Sequence, residues 1–240
     1  MAANDRSYLI GELQKLVKYS DRRIRAIIFT MASSGIRLGA WDYLKWKHVT
    51  TLERENTLVA AKLIVYAGEA EEYYTFITPE AYHSLKEWMD YRELHGEKLT
   101  PESWLMRDLW QTTDTIERTK RGGNYGLATY PKKIDLKAVK KIINRALRKQ
   151  GLRQALPDGK RRHEFKEMHA FRKFFQTRAE QVMKHINVEL LMGHNLGLTG
   201  SYYKPQEAEV LSNYLKAVLQ LTIIDITPIK DLEKERERDR

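Results

Sequence analysis

Three runs of the chain, KHVTTLE (47–53), TLVAAKLIVYA (57–67) and EEYYTFITP (71–79), are rich in β-branched and aromatic residues and are separated by the turns EREN and GEAE. Such side chains fit a pleated, half-buried surface, so the spacing predicts a small antiparallel three-stranded sheet. On both sides of it the apolar period becomes helical. Upstream, SYLIGELQKLVKYS places Leu9, Ile10, Leu13, Leu16 and Val17 on one face, and Ser20 or Asp21 caps RRIRAIIFTMAS. Downstream, Thr78 and Pro79 open the helix PEAYHSLKEWMDYRELH, which stops at Gly96. Residues 97–134 hold Pro101, Gly122-Gly123 and Pro131 and read as a partly helical, loop-rich connection. Asp135 then caps the strongly basic DLKAVKKIINRALRKQ, which ends at Gly151, and the loop LPDGKRRHE leads to a helix whose Phe171, Phe174 and Phe175 belong in the core. A short helix, NVELLMG, and a last amphipathic helix, EVLSNYLKAVLQL, complete a mostly α protein with a small antiparallel β-sheet, an α+β fold.

The chain has 240 residues and is expected to form one large domain over 1–225, followed by a charged tail, 226–240, ending KDLEKERERDR. It contains no cysteine, which removes disulfides and thiolate chemistry. No apolar run approaches the roughly 18 residues of a membrane span, and the N-terminus lacks a signal-peptide layout, so a cytoplasmic, nucleoid-associated protein without membrane contact is expected. Charge is unevenly distributed. Between Arg118 and Arg178 stand 19 Lys and Arg against 4 Asp and Glu, a surplus of +15 in a chain whose net charge is +10. A concentrated surplus suits a polyphosphate surface, although solvated helix faces give the same count.

Five residues form one candidate constellation for phosphoryl chemistry: Arg37 in SSGIRLGAWDYLKWKHV, His169 and Arg172 in MHAFRKFF, His194 in LLMGH, and Tyr203 in TGSYYKP. Attack on a phosphodiester builds charge on its non-bridging oxygens, and guanidiniums meet that charge with paired, permanently charged donors. His169, three residues before Arg172, shares its helix face and can accept a phenolic proton. A tyrosine nucleophile, with an ordinary pKa near 10, needs just such cations and a base. Tyr202 and Tyr203 point about 100 degrees apart on a helix, so only one can face the phosphate. Taken singly, each residue has an ordinary structural reading: ion-paired arginines, a packed histidine beside Phe171, a histidine at a helix C-terminus. No cofactor is expected. Nor is a metal site, on the reading that His48, His83, His95, His163 and His185 lack ligand spacing. KRGGNYG lacks the strand and helix of a phosphate-binding loop.

Together and in this order, the four stretches resemble the catalytic domain of the tyrosine recombinases, the phage-integrase family, in an archaeal-type, integrase-like form, over roughly residues 10 to 220. There a first arginine follows a T/S-G-hydrophobic turn, H-x-x-R opens a helix, and G-H precedes the nucleophilic tyrosine by nine residues. Gly35-Ile36-Arg37, His169-x-x-Arg172, Gly193-His194 and Tyr203 fit this pattern. The resemblance implies site-specific DNA cleavage and rejoining through a 3′-phosphotyrosine without metal or ATP. It selects Tyr203 over Tyr202, which is left as a packing residue, and gives His194 a hydrogen bond to a non-bridging oxygen. It further implies integration or excision of a mobile element, with four protomers on paired double-stranded DNA sites, weakly associated or monomeric without DNA. Lys132, Lys133, Lys140, Lys141, Arg145, Arg161 and Arg162 are expected to contact the DNA backbone.

The sequence departs from the family in three places. The turn VYAGEAEEY lacks the usual lysine that protonates the leaving 5′-oxygen, leaving Lys62, in the preceding strand, as the stand-in. Ala40 occupies the place of an acid that buttresses the first arginine, so either Asp42 substitutes or Arg37 is held otherwise. Only about 20 residues precede the second helix, where many members carry a separate N-terminal helical domain, so the chain is expected to be either a catalytic fragment or a minimal member. Two other readings stay open: a type IB topoisomerase-like activity, and a catalytically silent DNA-binding or architectural protein of the same fold.

Overall fold

The computed structural model of the protein describes residues 5–107, 133–156, 158–159 and 163–224. Two amphipathic helices open it, α1 (Ile10–Tyr19) and α2 (Arg22–Ser34). Asp21 caps α2 by accepting the Ile24 N–H at 2.8 Å, an interaction that contributes about 1 kcal/mol. Nearly all of α2 is buried. It packs on α1, on the sheet and on four helices downstream, and so forms the axis of the core.

After two 3-10 turns, Leu38–Asp42 and Trp46–His48, come β1 (Val49–Arg54), β2 (Thr57–Val65) and β3 (Tyr73–Ile77). They form an antiparallel sheet in the order β1-β2-β3, as the strand pattern predicts. Ala61, Leu63 and Val65 of β2 are buried while Lys62 and Ile64 are half-buried, so one face of the strand meets the core. Lys62 lies opposite Phe76, Ile64 opposite Tyr74 and Val65 opposite Tyr73. Because side chains alternate along a strand, Lys62 and Tyr74 share one face and Tyr73 takes the other.

The helix α3 (Pro79–Leu94) starts with Thr78 accepting the Ala81 N–H. Its buried Glu80 accepts the backbone N–H groups of Ile223 and Ile224 at 2.8 and 2.6 Å, tying down the distal end of the described chain. Burial pushes this carboxyl up to about 7 against those two hydrogen bonds. Beyond α3, Glu97 bridges Arg92 at 2.6 Å and Arg107 at 2.9 Å in the interior.

The remaining helices are α4 (Leu136–Lys149), α5 (His169–Ala179), α6 (His185–Leu191), α7 (Gly197–Tyr202), α8 (Glu207–Leu215) and α9 (Val218–Leu221). Phe171, Phe174 and Phe175 are buried, as their spacing predicts. The last amphipathic run is two helices, not one. Lys216 and Ala217 bond back three residues, and the Tyr214 hydroxyl is anchored on Ser33 O at 2.8 Å, which tightens the chain into the core. Among the described residues, no helix is long and apolar enough to cross a membrane. The Gly122-Gly123 segment and the charged tail lie outside the described residues.

Candidate active site

Two glycines in left-handed backbone bring the first part of the site together. Gly35, at φ +65°, ends α2, and a Cβ there would sit 2.7 Å from the Phe175 ring. Gly193, at φ +64°, follows α6, and a Cβ there would sit 2.5 Å from the Tyr73 ring. Only glycine combines that backbone with that approach. The two turns therefore close on α5 and β3, and their carbonyls become anchors for the arginines.

Arg172, buried on α5, donates to Gly35 O, to Met192 O at 3.3 Å, and lies 2.6 Å from His194 Nε2. Arg37, exposed at the start of the first 3-10 turn, directs Nη1 and Nη2 to Gly193 O at 3.5 Å. Burial and the neighbouring Arg37 charge both push the Arg172 guanidinium below its ordinary pKa. Two cations held this close repel, an arrangement that an anion between them relieves. Tyr66 and Tyr73 complete the wall. Burial raises both phenols, Tyr73 to about 12, while the charges of Arg172 and Arg37 oppose the rise, so both remain neutral phenols at physiological pH.

His194 is fixed from both sides. Its Nδ1 lies 2.7 Å from Glu189 Oε2 and its Nε2 meets Arg172. Glu189, five residues earlier on α6, is absent from the sequence reading. A carboxylate on Nδ1 selects the ring orientation, as such partners do for functional histidines generally.

His169, the first residue of α5, is exposed. The chain around it removes enough water to lower its pKa below the ordinary histidine value. Lys173, Arg172 and Lys166 lower it further against Asp5.

Tyr203 and Lys62 lie outside this cage. The Tyr203 hydroxyl donates to Asn187 Oδ1 at 2.7 Å, and Asn187, buried on α6, donates to Asn213 at 3.0 Å. Lys62 Nζ pairs with Glu207 Oε2 at 2.6 Å and lies over the Tyr74 ring at 5.5 Å. Burial first, and then the Glu207 charge, raise the Tyr74 phenol above its ordinary pKa. Lys62 thus lies on the sheet face opposite to the one Tyr73 presents to the arginines, while Tyr203 is held by Asn187 of α6. Tyr202 is 89% exposed, which corrects its assignment as a packing residue. It is the last residue of α7.

Asp42 pairs with Lys133 at 3.0 Å. Of the two alternatives for the missing acid at Ala40, the second holds: Arg37 rests on Gly193 O and faces Tyr66. Lys133, expected on DNA, is engaged by Asp42 and lies over the Trp104 ring. Lys140, Lys141 and Arg145 are exposed on α4, with Lys140 3.9 Å from Glu167. The helix α4 packs against the turn that follows Arg37, and its basic residues lie on its exposed side. Lys132, Arg161 and Arg162 lie outside the described residues.

Sequence reading also passed over a ligand spacing. His185 and Glu189 stand four apart on α6, and their side chains meet Glu180.

No family model and no curated protein matches the sequence. Solved structures do. XerA recombinase is 16% identical with a TM-score of 0.54, over 88% of this chain and 64% of that one. XerH site-specific recombinase bound to difH substrate, in a pre-cleavage complex, is 18% identical with a TM-score of 0.55, over 88% of this chain and 53% of that one. XerH on a palindromic difH substrate, in a post-cleavage complex, is 18% identical with a TM-score of 0.54, over 83% and 48%. The chain spans about half to two-thirds of the length of these recombinases. A mostly helical body around a three-stranded antiparallel sheet is the fold of the tyrosine recombinase catalytic domain, and this chain has it.

Proposed function

We propose that this protein is a site-specific DNA recombinase that cleaves and rejoins strands through a covalent 3′-phosphotyrosine. The observation that carries the reading is the convergence of Arg37, Arg172 and His194 on the two glycine turns, within a fold shared with recombinases whose structures include DNA substrates. The non-bridging oxygens of a scissile phosphate sit between the two guanidiniums and the His194 ring, with Glu189 holding that ring. The Tyr203 oxygen forms a bond to phosphorus as the bond to the 5′-oxygen breaks. His169 takes the phenolic proton, and the 5′-oxygen leaves as a hydroxyl, protonated by Lys62 once Glu207 releases it or by water. Rejoining is the reverse, so the phosphotyrosine conserves the bond energy and no ATP is consumed. The arginines supply the positive charge the transition state requires, so the chemistry needs no metal ion.

In this reading residues 1–225 form the catalytic domain and the basic face of α4 follows the DNA backbone. Four protomers on paired double-stranded sites exchange strands, for integration or excision of a mobile element. A second reading, a DNA-binding protein without cleavage, has one observation in its favour: Tyr203 and Lys62 are both engaged outside the cage.

One experiment separates the two. Wild type, Tyr203→Phe and Tyr202→Phe are incubated in EDTA with a library of nicked duplexes of randomised sequence and run on a denaturing gel. A covalent adduct in wild type and Tyr202→Phe, lost in Tyr203→Phe, is expected. Duplex retarded in a native gel run in parallel, with no adduct in the denaturing gel, supports the silent binder.

A further inference from the structure

His185 and Glu189 lie one turn apart on α6 and therefore on one helix face, and Glu180, which ends α5, closes on them across the intervening turn. One ligand atom from each of the three lies within 4.8 Å of the others. His185 Nδ1 is 2.8 Å from Glu180 Oε1. The Gln176 amide donates to Glu180 at 3.0 Å and to Glu189 at 3.4 Å, holding the two carboxylates side by side. An imidazole and two carboxylates that leave further positions open match the ligand set of a zinc-type ion, and the imidazole disfavours calcium and magnesium. Tetrahedral coordination asks for donor separations of about 3.3 Å. His185 and Glu180 are exposed, so closing to that distance takes side-chain rotation without moving packed backbone.

We propose that Glu180, His185 and Glu189 bind a divalent first-row transition-metal ion of the zinc type, and that its binding draws Glu189 away from His194. The second half follows from shared chemistry. Glu189 Oε2 is the partner of His194 Nδ1, and a carboxylate bound to a dication is a weaker hydrogen-bond acceptor. Metal binding then loosens the ring that meets Arg172. The binding is independent of the function proposed above. Only its consequence, slower strand cleavage in the presence of the metal, rests on that reading.

The test is a calorimetric titration of the full chain with Zn2+, with nitrogen-15 spectra of the histidine rings recorded alongside, for wild type and His185→Ala. His185 is exposed and outside the cage, so the variant keeps the fold. The expected result is one saturable site in wild type, weakened about tenfold or more in the variant, with the His194 ring signals shifting as the site fills. Equal binding by His185→Ala overturns the site, and filling without a shift at His194 overturns the coupling. In the gel assay with EDTA omitted, Zn2+ is expected to slow adduct formation by wild type but not by the variant. A chain that forms no adduct under any condition overturns the recombinase reading while leaving the calorimetric and spectral results to decide the metal site.

Discussion

In the proposed reaction His169 accepts the phenolic proton, and its surroundings favour the neutral ring that this role needs. Loss of solvent and three nearby cations lower its pKa below the ordinary 6.5, so the neutral, accepting form persists to lower pH than for a free imidazole. The acid limb of kcat/KM for adduct formation, which reports the free protein, is therefore expected to fall below pH 6.5. A limb above 6.5 would mean that His169 is not the base. Other residues of the cage were not legible in the sequence. Glu189 reaches His194 from within an apolar helix, and Tyr66 and Tyr73 read simply as strand residues. Asn187 shows its role only when a tyrosine 16 residues away is folded onto it. Motif spacing identifies groups that react, whereas the groups that orient them are chosen by contacts the chain makes later.

The elements of the fold were the most legible part. Asp21, Thr78 and Asp135 each cap the helix assigned to them, and each accepts a backbone N–H from its first turn. The face of Lys62 was not legible, because KLIV is apolar enough to bury either side, and pairing with β3 decides it. The turn after α6 is where one element depends most on another. Gly193→Ala adds both a positive-φ penalty and a contact 2.5 Å from Tyr73, whereas Gly68→Ala, at φ +85°, meets nothing within 4 Å. Denaturant unfolding is expected to show a loss of about 1–2 kcal/mol for Gly68→Ala and a larger loss for Gly193→Ala, since overpacking costs about 1–3 kcal/mol more. Equal losses would mean that Tyr73 yields freely and does not set the position of the His194 turn.

Over the whole molecule, part of the charge surplus read from the sequence lies on the exposed side of α4, a helix that packs against the turn after Arg37. In the proposed reading each phosphate it neutralises releases counterions, so log Kd for duplex DNA should rise linearly with log salt concentration. Replacing Lys141 and Arg145 together by alanine is expected to reduce that slope by about 1 to 2. An unchanged slope would place the DNA elsewhere. Tyr203, the proposed nucleophile, rests on Asn187 rather than on the arginines. In the proposed reaction it leaves Asn187 and reaches the cage before it attacks. The most direct measurement is to digest the trapped protein–DNA adduct with trypsin and nuclease and to locate the phosphate by mass spectrometry. A nucleotide esterified to Tyr203 alone is expected. A nucleotide on Tyr202, Tyr66 or Tyr73, or on no tyrosine, would contradict the proposed reaction.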